Sequence, residues 1–297
     1  MKNLILAGGS LAAMVIATPA MAQSMSMDPA GDRPAECSDT ATNCVVIDQS
    51  GDQNVATVDQ PGTGNSADIT QASAADATLG NEALVTQDGD DNFAVVDQDT
   101  TAMGADRVTA DIDQAGINSL ADIEQISFAN GDDAEIFQVT GVDFSFASIR
   151  QTGSSTVASN STATINQNAG FFNDAAIIQG DSLGFGTETD VSNSDADITQ
   201  TGSTNFATAI QAGDGEDADI VQDGNGNESS IFQGLESASS LNVALNNQIG
   251  DDNVSEITQN GTSNNATVNQ YDGSSSFVTQ NGTSNSTTVT QGTAPTT

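Results

Sequence analysis

The chain has 297 residues and carries 41 Asp and Glu against 4 Lys and Arg, with no His, for a formal charge of −37. That imbalance excludes a nucleic-acid binder, since a phosphate backbone is neutralised by cations. With no His and a single Lys at position 2, the commonest general bases and amine nucleophiles are missing, which argues against an enzyme. Leu, Ile, Val and Phe together number 59, just under one fifth of the chain, a composition that by itself predicts disorder.

Residues 1–22 read as a secretory signal peptide: Lys2 supplies a positive start, Leu4 to Ile16 an apolar stretch, and Ala20, Met21 and Ala22 an A-x-A cleavage site. The stretch is too short, and too broken by Gly8, Gly9 and Pro19, for a retained anchor, and no later segment is apolar enough to span a bilayer. Export makes a small disulfide loop between Cys37 and Cys44, the only cysteines, the expected pairing; a CxxC redox motif is absent.

From residue 43 onward an internal repeat overrides the composition. Of 22 glutamines, 20 close one recurring unit: Gln49, Gln60, Gln71, Gln87, Gln98, Gln114, Gln125, Gln138, Gln151, Gln167, Gln179, Gln200, Gln211, Gln222, Gln233, Gln248, Gln259, Gln270, Gln280 and Gln291. Ile or Val stands two residues before Gln in 18 copies and Ala four before in 15; Asn stands six before in 12, among them Asn54, Asn65, Asn92, Asn205, Asn253, Asn264 and Asn285. Asn, Ala, Ile/Val and Gln therefore fall on alternate positions and share one face of an extended chain, while residues such as Asp68, Thr70, Asp111, Asp113, Thr288 and Thr290 make the opposite, solvated face. Gly after Gln supplies turns. The fold class is all-β.

One such strand cannot bury its face, but stacked copies can. Spacings that leave even-numbered units are 10 to 13 residues, whereas every spacing of 15 or more leaves an odd-numbered unit. That parity predicts a β-solenoid with two strands per coil, one edge of tight turns and one edge of insertions. About ten coils at about 4.8 Å would make a stack of about 48 Å, with Gln and Asn in structural ladders and Ala and Ile/Val in a thin interior. Unit 1 and unit 20 look like interior units, so the ends are expected to template further strands and the chain to form a homopolymer.

The unit is similar to the curlin repeat, S-x5-Q-x-G-x-x-N-x-A-x3-Q. Gln49, Gly51, Asn54, Ala56 and Gln60 match its second part without a mismatch, as do Gln87, Gly89, Asn92, Ala94 and Gln98. Gln200, Gly202, Asn205, Ala207 and Gln211 make a third match, and Gln259, Gly261, Asn264, Ala266 and Gln270 a fourth; the resemblance covers residues 43–291. It implies a structural subunit of extracellular, cell-surface amyloid fibres of a Gram-negative biofilm matrix, used in adhesion and aggregation. It also implies export through the periplasm with a chaperone and an outer-membrane secretion pore, polymerisation on a nucleator subunit, and residues 23–42 as a flexible secretion-targeting segment. Residues 292–297 would be a short tail. The alternatives are a minor nucleator or adhesin of the same fold, and a soluble solenoid that binds a surface; the latter would need a regular Thr array, whereas outward positions mix Asp with Leu84, Arg150 and Phe232.

Departures from the pattern carry their own expectations. The Ser that opens the family's repeat is largely replaced by Asn, and unit 16 has Asn246 where Ile or Val is expected. Units 7 to 12 hold Phe128, Phe137, Phe144, Phe146, Phe171, Phe172 and Phe185, so this stretch is expected to pack differently. Outward aspartates such as Asp59 and Asp97 are expected to repeat along the stack and repel one another, slowing assembly until acid, salt or divalent cations relieve them. Around Asp223, Asn225 and Asn227 there is a faint calcium-loop pattern without the Gly and terminal Glu of an EF-hand, so a solvated turn and no cofactor are expected.

Overall fold

The computed structural model describes residues 42–74, 80–100, 108–127, 131–153, 160–180, 192–234 and 240–293; the signal peptide, Cys37, Phe128 and Phe185 lie outside them. Among the described residues every regular element is a β-strand. The first sheet runs, in spatial order, Cys44–Ser50, Ser66–Ser73, Phe93–Thr100, Leu120–Ser127, Phe146–Gly153, Asp174–Gln179, Phe206–Gln211, Glu228–Gln233, Val254–Thr262 and Ser275–Thr283. The second runs Val55–Asp59, Glu82–Gln87, Thr109–Gln114, Asp133–Gln138, Thr162–Phe171, Asp195–Thr201, Asp217–Asp223, Val243–Ile249, Asn265–Tyr271 and Ser286–Gln291. Successive strands alternate between the sheets and each pairs in parallel with the strands two before and two after it: a parallel β-solenoid with two strands per coil.

The register is set by the period-two pattern, because a slip of one residue would turn every apolar side chain to water. Ile69 pairs with Ile47 and Val96, Ala67 with Val45 and Ala94, and Ile165 with Ile136 and Ile198. In Asp133–Gln138, Ala134, Ile136 and Gln138 are buried while Asp133, Glu135 and Phe137 lie on the outer face. The core is one continuous column of Ala, Ile and Val running from Ala67 to Val278, with Ala56, Val58 and Val289 packed on it at the two ends. A small residue followed by a large one on each strand lets the facing sheets mesh. Burial of each Ile in full contributes roughly 1.5–3 kcal/mol, repeated coil after coil.

Asn246 keeps its place in the Ile column, between Ile220 and Val268, and is fully buried. Its amide donates to the hydroxyl of Ser229 on the facing sheet. Ser229 and Ser255 stand in the Ala column of that sheet, so the irregularities of neighbouring units are matched across the interior.

The Phe-containing stretch does not pack differently, contrary to what its composition suggests. Asp133–Gln138, Phe146–Gly153, Thr162–Phe171 and Asp174–Gln179 hold the common register. Among the described residues its irregularity lies at strand ends and turns: a bulge between Gln167 and Ala169, and a two-residue strand, Val142–Asp143, beside Gly170 and Phe171. The strand pairing and the inward residues continue past the bulge, which is accommodated at the edge.

Axial stacking also explains the Gly after Gln. A Cβ at Gly224, which has φ +139°, would lie 2.0 Å from the Gly250 carbonyl oxygen of the next coil; Gly273, at φ +64°, has open space around it. Gly224→Ala is therefore expected to lower stability by roughly 3 kcal/mol or more, combining backbone strain and collision, and Gly273→Ala by about 1 kcal/mol from strain alone, measured by urea denaturation of the soluble chain.

Candidate functional site

Gln Nε2 of each coil donates to Gln Oε1 of the next. In the first sheet the series Gln49, Gln71, Gln98, Gln125, Gln151, Gln179, Gln211, Gln233, Gln259 and Gln280 is unbroken, at 2.6–3.1 Å. In the second, Gln60, Gln87, Gln114, Gln138, Gln167, Gln200, Gln222, Gln248, Gln270 and Gln291 run at 2.6–3.2 Å. From Gln60 to Gln280 the other N–H of each amide crosses the coil to a backbone carbonyl of the facing sheet, as from Gln98 to Glu82 at 3.1 Å and from Gln222 to Phe206 at 2.8 Å. Both donors and the acceptor are thus used in a dry interior, where an unmade bond is costly and aligned amides polarise one another. Both ladders run one way, donating toward the C-terminal end.

The Asn column works differently from a stack of amides. Asn65 Oδ1 accepts the backbone N–H of Asn92 at 2.9 Å, Asn205 Oδ1 that of Asn227 at 3.1 Å, and Asn264 Oδ1 that of Asn285 at 3.1 Å. The Nδ2 atoms donate to turn carbonyls of the following coil: Asn92 to Gly116 at 2.8 Å, Asn205 to Gly224 at 2.9 Å and Asn264 to Gly282 at 3.0 Å. Asn54 Oδ1 likewise accepts from Asn81 N–H at 3.1 Å, and Asn253 Oδ1 from Ser274 N–H at 3.0 Å. Direct amide pairs occur as exceptions, Asn253 to Asn227 and Asn285 to Asn264. Asn is therefore a turn clamp, and Ser119, whose N–H is bonded to Asn92, fills the same position.

A third ladder lies on the tight-turn edge, where sequence analysis saw only solvated loops. Asp90 Oδ1 accepts from the N–H and hydroxyl of Thr63, which holds its carboxyl below the usual range; Asn225 accepts from Ser203 N–H, Asp251 from Asn225 N–H and Asp272 from Asp251 N–H. The faint calcium pattern resolves into these roles, Asn225 in the turn ladder and Asn227 in the Asn column. Among the described residues no group of three metal-binding side chains is gathered. The linear pattern does not mark this ladder: Thr63, Asp90, Ser203, Asn225 and Asp251 stand three after Gln in even-numbered units, but Ile117, Gly141 and Gly170 take that place in others, and short polar residues such as Asp52 and Asp214 stand there in odd-numbered units too.

At the N-terminal end Val45 and Ile47 point inward yet are 42% and 45% exposed, because among the described residues no strand pairs with the outer edge of Cys44–Ser50. Gln49 and Gln60 present Oε1 acceptors there, while at the other end Gln291 presents its Nε2. Val278 and Val289 sit under the C-terminal rungs. The two ends are complementary in apolar size and in donor and acceptor sense.

Outside, like charges do stand in register, as expected at Asp97 but not at Asp59. Asp59 is beside Thr86, so no axial carboxylate faces it; Asp97 is beside Glu124, Asp195 beside Asp217, and Asp197 beside Asp219. Burial and then these neighbours push Asp97, Asp197 and Asp217 up, and Asp219 to about 6. Burial first, with Glu124 and Asp97 adding and Arg150 opposing, lifts Asp122 to about 6; burial alone lifts Asp174 to about 6. Arg150 Nε meets Glu124 Oε2 at 3.2 Å, a half-exposed pair of modest worth and the one ion pair with a side-chain cation among the described residues.

These shifts fix the sign of the pH response. A carboxyl raised in the fold disfavours its own ionised form, so the folded chain takes up protons before the unfolded one and stability rises as pH falls from about 6 toward the ordinary range near 4. Asp122→Asn is expected to add roughly 2 kcal/mol at pH 8 and nothing near pH 3, read from urea midpoints across pH. Gln138→Leu, which strands Gln114 as donor and Gln167 as acceptor, is expected to cost roughly 2–4 kcal/mol, and Gln291→Leu at the open end under about 1 kcal/mol.

Among the described residues no helix is long and apolar enough to cross a membrane. The curlin associated repeat family model matches residues 43–72 and 192–224, each a run of three successive rungs of the solenoid. No curated protein matches the chain. The matched stretches contain the Gln, Asn and Gly positions whose bonds run from coil to coil, and they support the assignment of this chain to the curlin-repeat family.

Proposed function

We propose that the chain is a secreted structural subunit that adds end to end into extracellular, curli-like amyloid fibres of a biofilm matrix, serving adhesion and aggregation. The observation that carries this is the pair of end rungs: inward Val45 and Ile47 left exposed at one end beside the Gln49 and Gln60 acceptors, and a Gln291 donor at the other. Stacking one copy on the next would continue both sheets, both ladders and the Ala/Ile column without a new type of contact. The strand orders support a stack of about ten coils per subunit, and the family match a structural rather than catalytic role.

Residues 1–22 would direct export and residues 23–42 targeting to an outer-membrane secretion pore, with a periplasmic chaperone and a nucleator subunit as partners. Cys44 is disulfide-bonded, and Cys37, the chain's other cysteine, is the partner in this scheme, closing a short loop beside the first rung. The register-paired carboxylates would hold copies apart during export, and acid would release them, with no cofactor needed.

Incubating residues 23–297 without chaperone tests the proposal by electron microscopy, thioflavin fluorescence and fibre diffraction. Self-seeding fibres with a strand spacing of about 4.8 Å along the axis are expected, forming faster at pH 5 than at pH 8. Ile47→Lys, which puts a charge on the end rung, is expected to slow elongation at least tenfold while leaving the soluble fold intact. A chain that stays dispersed at high concentration for days would overturn the proposal.

A further inference from the structure

The tight-turn edge carries an outward aromatic cluster whose position the fold does not reward. Phe144, Phe171 and Phe172 are 44%, 53% and 58% exposed. The rings of Phe144 and Phe172 stack at 5.6 Å and 24°, and Phe171 meets Phe172 edge-on at 6.1 Å. Phe144 and Phe172 also have φ of +52° and +58°, a left-handed conformation that bulky side chains rarely adopt. Asn118 and Thr204 occupy the equivalent turn position in the coils on either side, at φ +54° and +58°. Asn tolerates that geometry far better than Phe, so two successive Phe are held in a disfavoured backbone without being buried. Strain and exposure of this kind point to contact with something outside the chain.

Resting on the filament reading above, we infer that this cluster is the lateral contact through which one filament of the chain pairs side by side with another filament of the same chain. The area decides the partner. Three half-exposed Phe offer on the order of 300 Å², well under the roughly 800 Å² per partner of a stable interface, so two lone copies would not hold together through it. In a filament the cluster recurs once per subunit, about every 48 Å, and a partner with the same repeat engages all copies at once. Only a second filament of this chain has that repeat. The cluster is also a site where two strongly acidic surfaces can approach: the neighbouring Asp143 carboxylate is turned to accept the Ile117 N–H at 3.1 Å.

The test compares wild type with the triple variant Phe144→Asn, Phe171→Ser, Phe172→Asn, and with Phe277→Ser, a lone exposed Phe on the first sheet. The triple variant is expected to have an unchanged or higher urea midpoint and a wild-type elongation rate. Its filaments should appear single by electron microscopy, and the fraction that sediments at low speed should fall several-fold. Phe277→Ser should bundle like wild type. Bundling retained in the triple variant at normal elongation overturns the inference alone, as does an elongation rate that falls with the substitutions, which would place the aromatics in growth. A wild-type chain that forms no filament overturns the filament reading and this inference with it.

Discussion

A parallel, in-register stack brings each side chain against its own equivalent in the next coil, and everything else in this molecule follows from that constraint. Few side chains tolerate such self-contact in a dry interior. The Gln amide does, because it is a donor at one end and an acceptor at the other, and it has a second N–H left to tie the facing sheets together. Ala and Ile tolerate it because identical apolar shapes pack on themselves. Carboxylates do not, and most are kept on the outer face, where water screens them and where proximity and partial burial push their protonation toward neutral pH; Asp132 and Glu216, which take the Asn position, are buried and accept from Ser161 N–H and Asn242 Nδ2.

The same constraint makes the ends unlike the middle. An interior rung has its Gln amide paired above and below; an end rung exposes Val45, Ile47 and the Gln49 acceptor on one side and a Gln291 donor on the other. The arrangement has direction, since an acceptor end meets a donor end but not a copy of itself. Large negative charge and strong axial complementarity then oppose each other, and pH sets the balance between them.

Much of the solenoid was legible in the linear pattern. Alternation of Asn, Ala, Ile/Val and Gln required strands, and the parity of the long spacings separated two columns before any contact was known. What misled was residue type read without register. Seven Phe suggested a different packing, yet Phe137 and Phe146 simply take outward positions and Phe144, Phe171 and Phe172 go to turns. Asp59 and Asp97 looked equivalent in the sequence but belong to different sheets and face Thr86 and Glu124. Asn was legible as a recurring position but not as a backbone clamp, because its partners are amide and carbonyl groups that no sequence displays.

Periodicity by itself determined the strands, their inward faces and the repetition that calls for stacking, since these depend only on which residues sit two apart. Tertiary structure decided what each repeat meets: that Asn246 lies opposite Ser229, that short turn residues form a third ladder, and that Phe144 and Phe172 stack on the outside. Those contacts join residues some 17 to 28 positions apart, through turns of unequal length. Only the folded chain sets which of them arrive at the same height.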